Sequence, residues 1–386
     1  MARKICVITG SRADYGHLMP VMRAIQEARG LDLLTIACGQ HLDPRFGNTW
    51  EAIETDRFSI DAKVDIGLSD DTSLAMAEAV GRGIIGLAEA LHRMQPDIVL
   101  VLGDRFEIFA AGSAALLLSI PLAHIHGGEI TEASFDDAMR HSLTKMAAVH
   151  FAATEPYATR IKQMGENPRF VFHTGAPGLD HLVRTDLLER VDLGHELKLD
   201  LTGHFFLITY HPVTLQADLG QAAAKALTDA LSCFGDASMV FTGVNSDPGY
   251  TKIRRIIENF ASLDPKRRKS VHSMGQRLYL SAMKSADAVI GNSSSGLIEA
   301  PAFCVPTVNI GDRQKGRLQG LSVINCGEQE DDIKAALYSA LSKDFREICI
   351  DAQPPYGRGG ASKKIVELLG TLPIQELSIK GFHDIM

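Results

Sequence analysis

The chain lacks several features, and each absence removes a class of function. Its six cysteines, at 6, 38, 233, 304, 326 and 349, form no CxxC pair, so neither a disulfide framework nor a thiolate zinc site is expected. Thiols used this way suit a reduced, cytoplasmic protein. Beyond "PKRRK" at 265–269 there is no block of like charge, and the net charge is −8, so no basic face for nucleic acid is expected. The longest mostly apolar run, "AAGSAALLLSIPLA" (110–123), is too short for a bilayer span and contains a proline. The opening "MARKICVITG" enters a strand directly and has no cleavage site, so no signal peptide and no membrane segment are read. The first glycine turn is not GxGxxG, and no Gly-rich loop carries a Walker lysine. There is no internal repeat and no low-complexity tract.

What is present is globular. Hydrophobic residues make up 45% and charged residues 22% of 386, enough for two domains that each bury a core. Short apolar runs at 4–9, 31–38, 97–103 and 121–126 read as buried strands, with helical patterns at 17–29, 73–94 and 105–119 between them. A helix near 136–147, a strand near 148–152, a helix near 155–164 and a strand at 170–173 follow. Strands alternating with helices predict βαβ units and a parallel sheet covered on both faces. The pattern restarts with strands at 204–211, 238–243, 270–273, 287–292 and 306–311. We therefore expect a Rossmann-like domain over 1–175, a linker over 176–203, a second Rossmann-like domain over 204–361, and a segment 362–386 packing back on the first. Two doubly wound halves predict a ligand cleft between the carboxyl ends of their sheets.

The polar residues collect where those strands end. "TGSRADYGHL" (9–18) offers Arg12 and Asp14 ahead of a helix, which suits an anion, although Asp14 could simply cap the helix. "GDRFE" (103–107) offers Asp104 and Arg105; the carboxylate could do acid/base work or cap the next helix. "HIHGGE" (124–129) carries two histidines that would share one face of an extended strand, a zinc-like geometry without an obvious fourth ligand. There His124 reads as a buried core histidine, and His126 is better placed to meet a ligand. Asp136 and Asp137 fall in the first turn of a helix. In the second half, "YHPVT" places His211 and "GVNSDPG" places Asn245 after strands. "IGNSSSGLIEA" (290–300) sets Gly291, Asn292, Ser293, Ser294 and Ser295 in a turn that could hold phosphate or merely cap, with Glu299 expected one turn into the helix, within reach of a ribose diol. "NIGDRQKGR" (309–317) adds Arg313, Lys315 and Arg317 as a cationic loop for a diphosphate. This is the layout of a nucleotide-sugar enzyme built on two Rossmann-like domains.

Taken in order, "GSRADYG", "LGDRFEIF", "HIHGGE…FDDAMRHSLTK", "HPVT", "GNSSSGLIEAP" and "NIGDRQKGR" resemble the UDP-N-acetylglucosamine 2-epimerases across about 5–320. They look most like the hydrolysing branch of sialic and legionaminic acid synthesis. The resemblance implies an α/β GT-B fold with an interdomain active site, UDP held mainly by the C-terminal domain, and no metal or NAD. It implies that UDP-GlcNAc eliminates UDP to give a 2-acetamidoglucal, to which water adds with inversion at C2, yielding N-acetylmannosamine. The same reaction on UDP-2,4-diacetamido-2,4,6-trideoxyhexose is the nearest alternative; a GT-B glycosyltransferase is an alternative of another class. By motif, Asp104, His126, Glu129 and Asp136 are the implied acid/base residues. Arg12, Asp14, Arg105, His211, Asn245, Gly291, Asn292, Ser293, Ser294, Ser295, Glu299 and Arg313 are the implied substrate contacts. His126 stands where well-known members carry a glutamate. The family also implies a homodimer or homotetramer in the cytoplasm.

Overall fold

The computed structural model describes residues 2–70, 72–132, 134–184, 187–243 and 247–385, the side chains of Val183 and Arg184 excepted. The chain divides into two compact units. The first comprises Met1–Glu129, Phe135–Val183 and Arg358–Met386; the second comprises Ile130–Ser134 and Arg184–Gly357.

The first unit is built on seven strands: β1 (Arg3–Thr9), β2 (Leu31–Cys38), β3 (Ala62–Val64), β4 (Ile98–Leu102), β5 (Leu122–Ile125), β6 (Val149–Ala152) and β7 (Val171–His173). They lie in the order β3-β2-β1-β4-β5-β6-β7, and every pair is parallel. Continuous apolar runs explain this: β4, "IVLVL", is buried at all five positions, as a central strand covered on both faces must be. One face carries Ile5, Val7, Leu100 and Phe151 against the helix Arg12–Glu27. The other carries Cys6, Ile8, Val99 and Val101 against the helices Ser73–Met94 and Phe106–Leu117. The order reverses between β1 and β4, so the loops leaving those two strands diverge and open a crevice at the carboxyl edge.

The second unit repeats the scheme with β8 (Phe205–Thr209), β9 (Ser238–Thr242), β10 (Arg268–Val271), β11 (Ala288–Gly291), β12 (Thr307–Ile310) and β13 (Val323–Cys326). Their order is β10-β9-β8-β11-β12-β13, again all parallel, with the switch between β8 and β11. The sequence pattern missed β3 and β13. They have three and four residues at the sheet edges, too few to show a period.

The segment expected as a linker, 176–203, contains a 3₁₀ turn at Pro177–Asp180 and helices at His181–Arg184 and Arg190–Leu197. The first of these receives the helix Ala361–Thr371. Both carboxylate oxygens of Asp180 accept backbone N–H groups there, from Gly360 (2.5 Å), Ala361 (3.0 Å) and Ser362 (2.6 Å). That satisfies donors a helix start leaves orphaned. Ile365, Val366 and Leu369 then join Val21, Met22 and Val149 in the core. Further on, the Lys380 ammonium donates to the carbonyls of Lys145 (2.5 Å) and Ala147 (2.6 Å), at the carboxyl end of the helix Asp136–Met146. It also pairs with the buried Glu166 at 2.6 Å. Burial opposes ionisation of Glu166, but hydrogen bonds from His150, Lys145 and Lys380 outweigh it and hold its carboxyl at about 2.

The Asp180 cap is testable. Asp180→Ala should lower the unfolding free energy by ~2 kcal/mol in a urea titration. Asp180→Asn, which keeps one acceptor oxygen, should lose less, and Leu369→Ala should lose ~2–5 kcal/mol through its cavity.

Candidate active site

In the first unit the helix after β1 starts at Arg12, five residues earlier than the sequence pattern indicated. Ser11 is its cap, in extended backbone, and its Oγ accepts the Asp14 N–H at 3.3 Å. Arg12 and Asp14 therefore stand on the first helical turn rather than in a loop. Asp14 is not the cap: its Oδ2 accepts the Gly10 N–H at 3.3 Å. Burial drives its carboxyl up to about 7; the Glu107 charge adds to this, and the Arg105 guanidinium opposes it. Arg12 is half-buried with its guanidinium 5.3 Å from the Tyr15 ring centre.

At the end of β4, neither Asp104 nor Arg105 caps the next helix through its side chain. The Asp104 carboxylate forms an ion pair with Arg140. Arg140 is 1% exposed and was not singled out in the sequence. Its Nη1 also donates to Asp137 Oδ1 and to the Glu129 carbonyl, both at 3.1 Å. The available signal was spacing: Arg140 lies four residues after Asp136, on the same helix face. Asp136 and Asp137 do occupy the first turn of that helix, and Asp136 is 8% exposed.

"HIHGGE" corrects the strand geometry. β5 ends at Ile125, and His126 leaves it with φ 65°, so the two histidines do not share a strand face. A histidine tolerates this left-handed backbone better than most side chains, at ~1–2 kcal/mol. The turn swings the imidazole back, and Nδ1 meets Glu129 Oε1 at 2.5 Å, both groups being buried. An ionised carboxylate accepts, so Nδ1 holds a proton, and in the neutral ring Nε2 is then the acceptor. His17 is next to it, with ring centroids 6.5 Å apart, and burial pushes the His17 pKa down to about 3. His124 is fully buried, with Nε2 2.7 Å from the Gly103 carbonyl and Nδ1 3.4 Å from Thr144 Oγ1. Among the described residues no group of three His, Cys, Asp or Glu side chains could hold a metal ion.

In the second unit the switch-point loops are locked together. Asn292 is fully buried; its Oδ1 accepts the His211 N–H at 2.6 Å and its Nδ2 donates to the His211 carbonyl at 2.8 Å. Its own carbonyl accepts from Arg313 Nη1 at 3.2 Å and Gln314 Nε2 at 2.7 Å. Gly291 precedes it with φ 131°, and a Cβ there would lie 2.0 Å from the Thr209 carbonyl oxygen, so only glycine fits. Ser293 and Ser295 pair through their hydroxyls at 3.2 Å. The helix that follows has only four residues, Ser295–Ile298, with Ser294 at its cap. Glu299 stands at its end, 3% exposed, not one turn inside a longer helix. The 3₁₀ turn Ala300–Phe303, containing Pro301, replaces a continuing helix. Of the expected cations, Arg313 is the one beside Asn292, and Lys315 pairs with the exposed Glu132 at 3.4 Å. Asn245 lies outside the described residues. Gln314, fully buried, was missed because the cations of its own motif drew the reading.

Two Rossmann-like units in one chain, each with polar side chains on its switch-point loops, define the GT-B class of α/β proteins. The chain belongs to the UDP-N-acetylglucosamine 2-epimerase family, whose model matches residues 23–370. It is 37% identical over 345 residues to the GDP/UDP-N,N'-diacetylbacillosamine 2-epimerase (hydrolyzing) of Campylobacter jejuni, covering 89% of both chains. To the UDP-N,N'-diacetylbacillosamine 2-epimerase (hydrolyzing) of Legionella pneumophila it is 33% identical, covering 97% of both. The UDP-GlcNAc 2-epimerase of Neisseria meningitidis, solved with UDP-GlcNAc, shares the fold at 20% identity, with a TM-score of 0.79 over 95% of this chain and 99% of that one. No helix among the described residues is long and apolar enough to cross a membrane.

The Arg140 pairing yields a prediction. Arg140→Met should destabilise the protein by ~3–5 kcal/mol in chemical denaturation, because it removes the cation that Asp104 pairs with and a donor to the Glu129 carbonyl. The double variant Arg140→Met/Asp104→Asn should recover part of that loss.

Proposed function

We propose that the chain catalyses hydrolytic 2-epimerisation of a UDP-linked 2-acetamido sugar, and that the sugar is a 2,4-diacetamido-2,4,6-trideoxyhexose. The observation that carries the chemistry is the His126–Glu129 pair at 2.5 Å, which leaves Nε2 as the acceptor when the imidazole is neutral. A proton on C2 is weakly acidic, so its removal needs a positioned base. His126 Nε2 takes that proton while the bond from C1 to the UDP oxygen breaks, and the electron pair leaves with UDP. The product is a 2-acetamidoglucal. Water then adds its hydroxyl to C1, and C2 receives a proton on the opposite face, so the configuration there inverts. Asp136 supplies this second proton and recovers one from the water that adds to C1, and Asp104, fixed by Arg140, orients the sugar. Glu129 sets the imidazole tautomer, as a carboxylate does for other catalytic histidines.

In the second unit Arg313, His211 and Ser293–Ser295 receive the charge that develops on the departing diphosphate. Glu299 takes the ribose. Arg12 and Arg105 contribute cations from the first unit. The choice of sugar follows the names of the Campylobacter and Legionella relatives. The family description favours UDP-GlcNAc as the second reading, with N-acetylmannosamine as product for sialic acid synthesis. A soluble homodimer or homotetramer of the cytoplasm suits either.

Both sugars are to be tested in heavy water without added metal. UDP should appear together with a 2-epimerised free sugar carrying one deuterium at C2. The diacetamido substrate should be favoured in kcat/KM by about tenfold or more, since each mismatched substituent weakens binding. UDP released with an unepimerised sugar, or no UDP at all, sinks the reading. His126→Asn should lower kcat ~10²–10⁴-fold, while His124→Asn should lower stability and leave kcat within a few fold.

A further inference from the structure

The turn that carries His126 and Glu129 is seated on the helix Glu155–Gln163, to which the proposed reaction gives no part. β5 ends at Ile125, and the His126 N–H still donates to the Phe151 carbonyl on β6, at 3.2 Å. The chain then bends sharply. Gly128 takes φ 77°, and a Cβ there would lie 2.4 Å from the Tyr157 carbonyl oxygen and 2.9 Å from Ile161 Cγ1. Only glycine lets the turn lie this close. Tyr157 and Ile161 are both buried, one turn apart on one face of the helix. Between them in sequence is Arg160, whose Nη1 donates to the Gly128 carbonyl. Arg160 is half-buried, with its guanidinium 5.6 Å from the Tyr157 ring centre. Among the described residues it has no carboxylate partner, and the bond its head makes is to the turn.

That bond is one of a pair. Arg140, on the helix Asp136–Met146, donates to the Glu129 carbonyl at 3.1 Å. The Gly128 carbonyl belongs to the peptide plane before the Glu129 Cα, and the Glu129 carbonyl to the plane after it. Each peptide unit is rigid, so the backbone has two soft torsions at Glu129, φ and ψ. Two guanidinium groups on two different helices each anchor one of the flanking planes. With both planes held, the direction of the Glu129 Cα–Cβ bond is set, and only the side chain's own rotamers remain. That direction delivers Oε1 to His126 Nδ1 at 2.5 Å. Either anchor alone would leave one of the two torsions loose.

We propose that Arg160 is a positioning residue: it holds the peptide plane ahead of Glu129, and with Arg140 on the plane behind it forms a two-guanidinium clamp that aims the Glu129 carboxylate and keeps the His126 proton on Nδ1, a role that rests on the reading of His126 as the base that removes the C2 proton. Arg160 acts through Gly128 and Glu129 and touches neither sugar nor nucleotide. Without it Glu129 is free to leave Nδ1. The neutral imidazole then divides its proton between Nδ1 and Nε2, and in the Nε2–H form it has no lone pair there to offer C2. The loss falls on the chemical step, because ground-state binding does not depend on the tautomer.

Two readouts separate this role from support of the fold alone. On the ligand-free protein the ring nitrogens of His126 are followed by heteronuclear NMR, at a pH high enough to keep the imidazole neutral. Their signals are identified by their absence in His126→Asn. Wild type should show a protonated Nδ1 and a bare Nε2. In Arg160→Met the two signals should move toward each other as the tautomers mix. In turnover, Arg160→Met should lower kcat ~10–100-fold while KM stays within about threefold. Arg160→Lys, which keeps a charged donor, should recover part of both effects. Lys162→Met, a control on the same helix, removes a cation that pairs with the exposed Glu155 at 3.8 Å and should match wild type. Unmoved His126 signals in Arg160→Met, or a raised KM with kcat unchanged, overturn the proposal. Should Arg160→Met fail to fold, Arg160→Gln, neutral and shorter, is read by the same two measurements, and wild-type signals or a wild-type kcat there overturn the proposal equally. The expected shift of the His126 signals without turnover of either sugar would overturn the proposed function and leave the clamp standing.

Discussion

A guanidinium taken out of water has to find acceptors, and Arg140 finds them on three separate segments. It ties the end of β4 through Asp104, the turn after β5 through the Glu129 carbonyl, and its own helix through Asp137. Those segments carry the four side chains to which acid/base work is ascribed. With Arg140 in place, Asp104 has a fixed partner and the backbone of Glu129 is pinned, so the Glu129 carboxylate can be aimed at His126. The left-handed backbone at His126 is then a modest expense, sustained by a turn that is bonded on both sides.

The second unit solves a related problem with amides. Asn292 exchanges hydrogen bonds with the backbone of His211 and offers its carbonyl to Arg313 and Gln314. Three loops from β8, β11 and β12 are thus one hydrogen-bonded block before any ligand arrives. With only four residues, the helix after the serines has little macrodipole to offer an anion. What the loops can present is local: hydroxyls, backbone N–H groups and the Arg313 cation. Such groups are effective because their geometry is prepaid by the fold.

The sheets were legible in the sequence because parallel strands buried on both faces announce themselves as unbroken apolar runs. "IVLVL" and "FFLIT" could be nothing else at that length. Loop residues after strands were legible for the same reason, since a parallel sheet sends its polar ends to one edge. What was hidden depended on backbone turns and tertiary partners. No period reveals that His126 steps out of β5 into a left-handed conformation, or that Arg140, five residues beyond Phe135, reaches back to Asp104. Edge strands such as β3 were hidden by shortness.

The docking of residues 361–371 under the Asp180 cap bears on how the chain can be made. Ribosomes deliver the amino terminus first, and domains generally fold as they emerge. The second unit is a nearly continuous stretch, Arg184–Gly357, and can complete its sheet as soon as that stretch is out. The first unit begins earlier and finishes later, because Ile365, Val366 and Leu369 fill its core from the far end of the chain. Until they arrive, Val21, Met22 and Ile25 present an open apolar face. The half that starts folding first is thus the half that a nascent chain must guard longest.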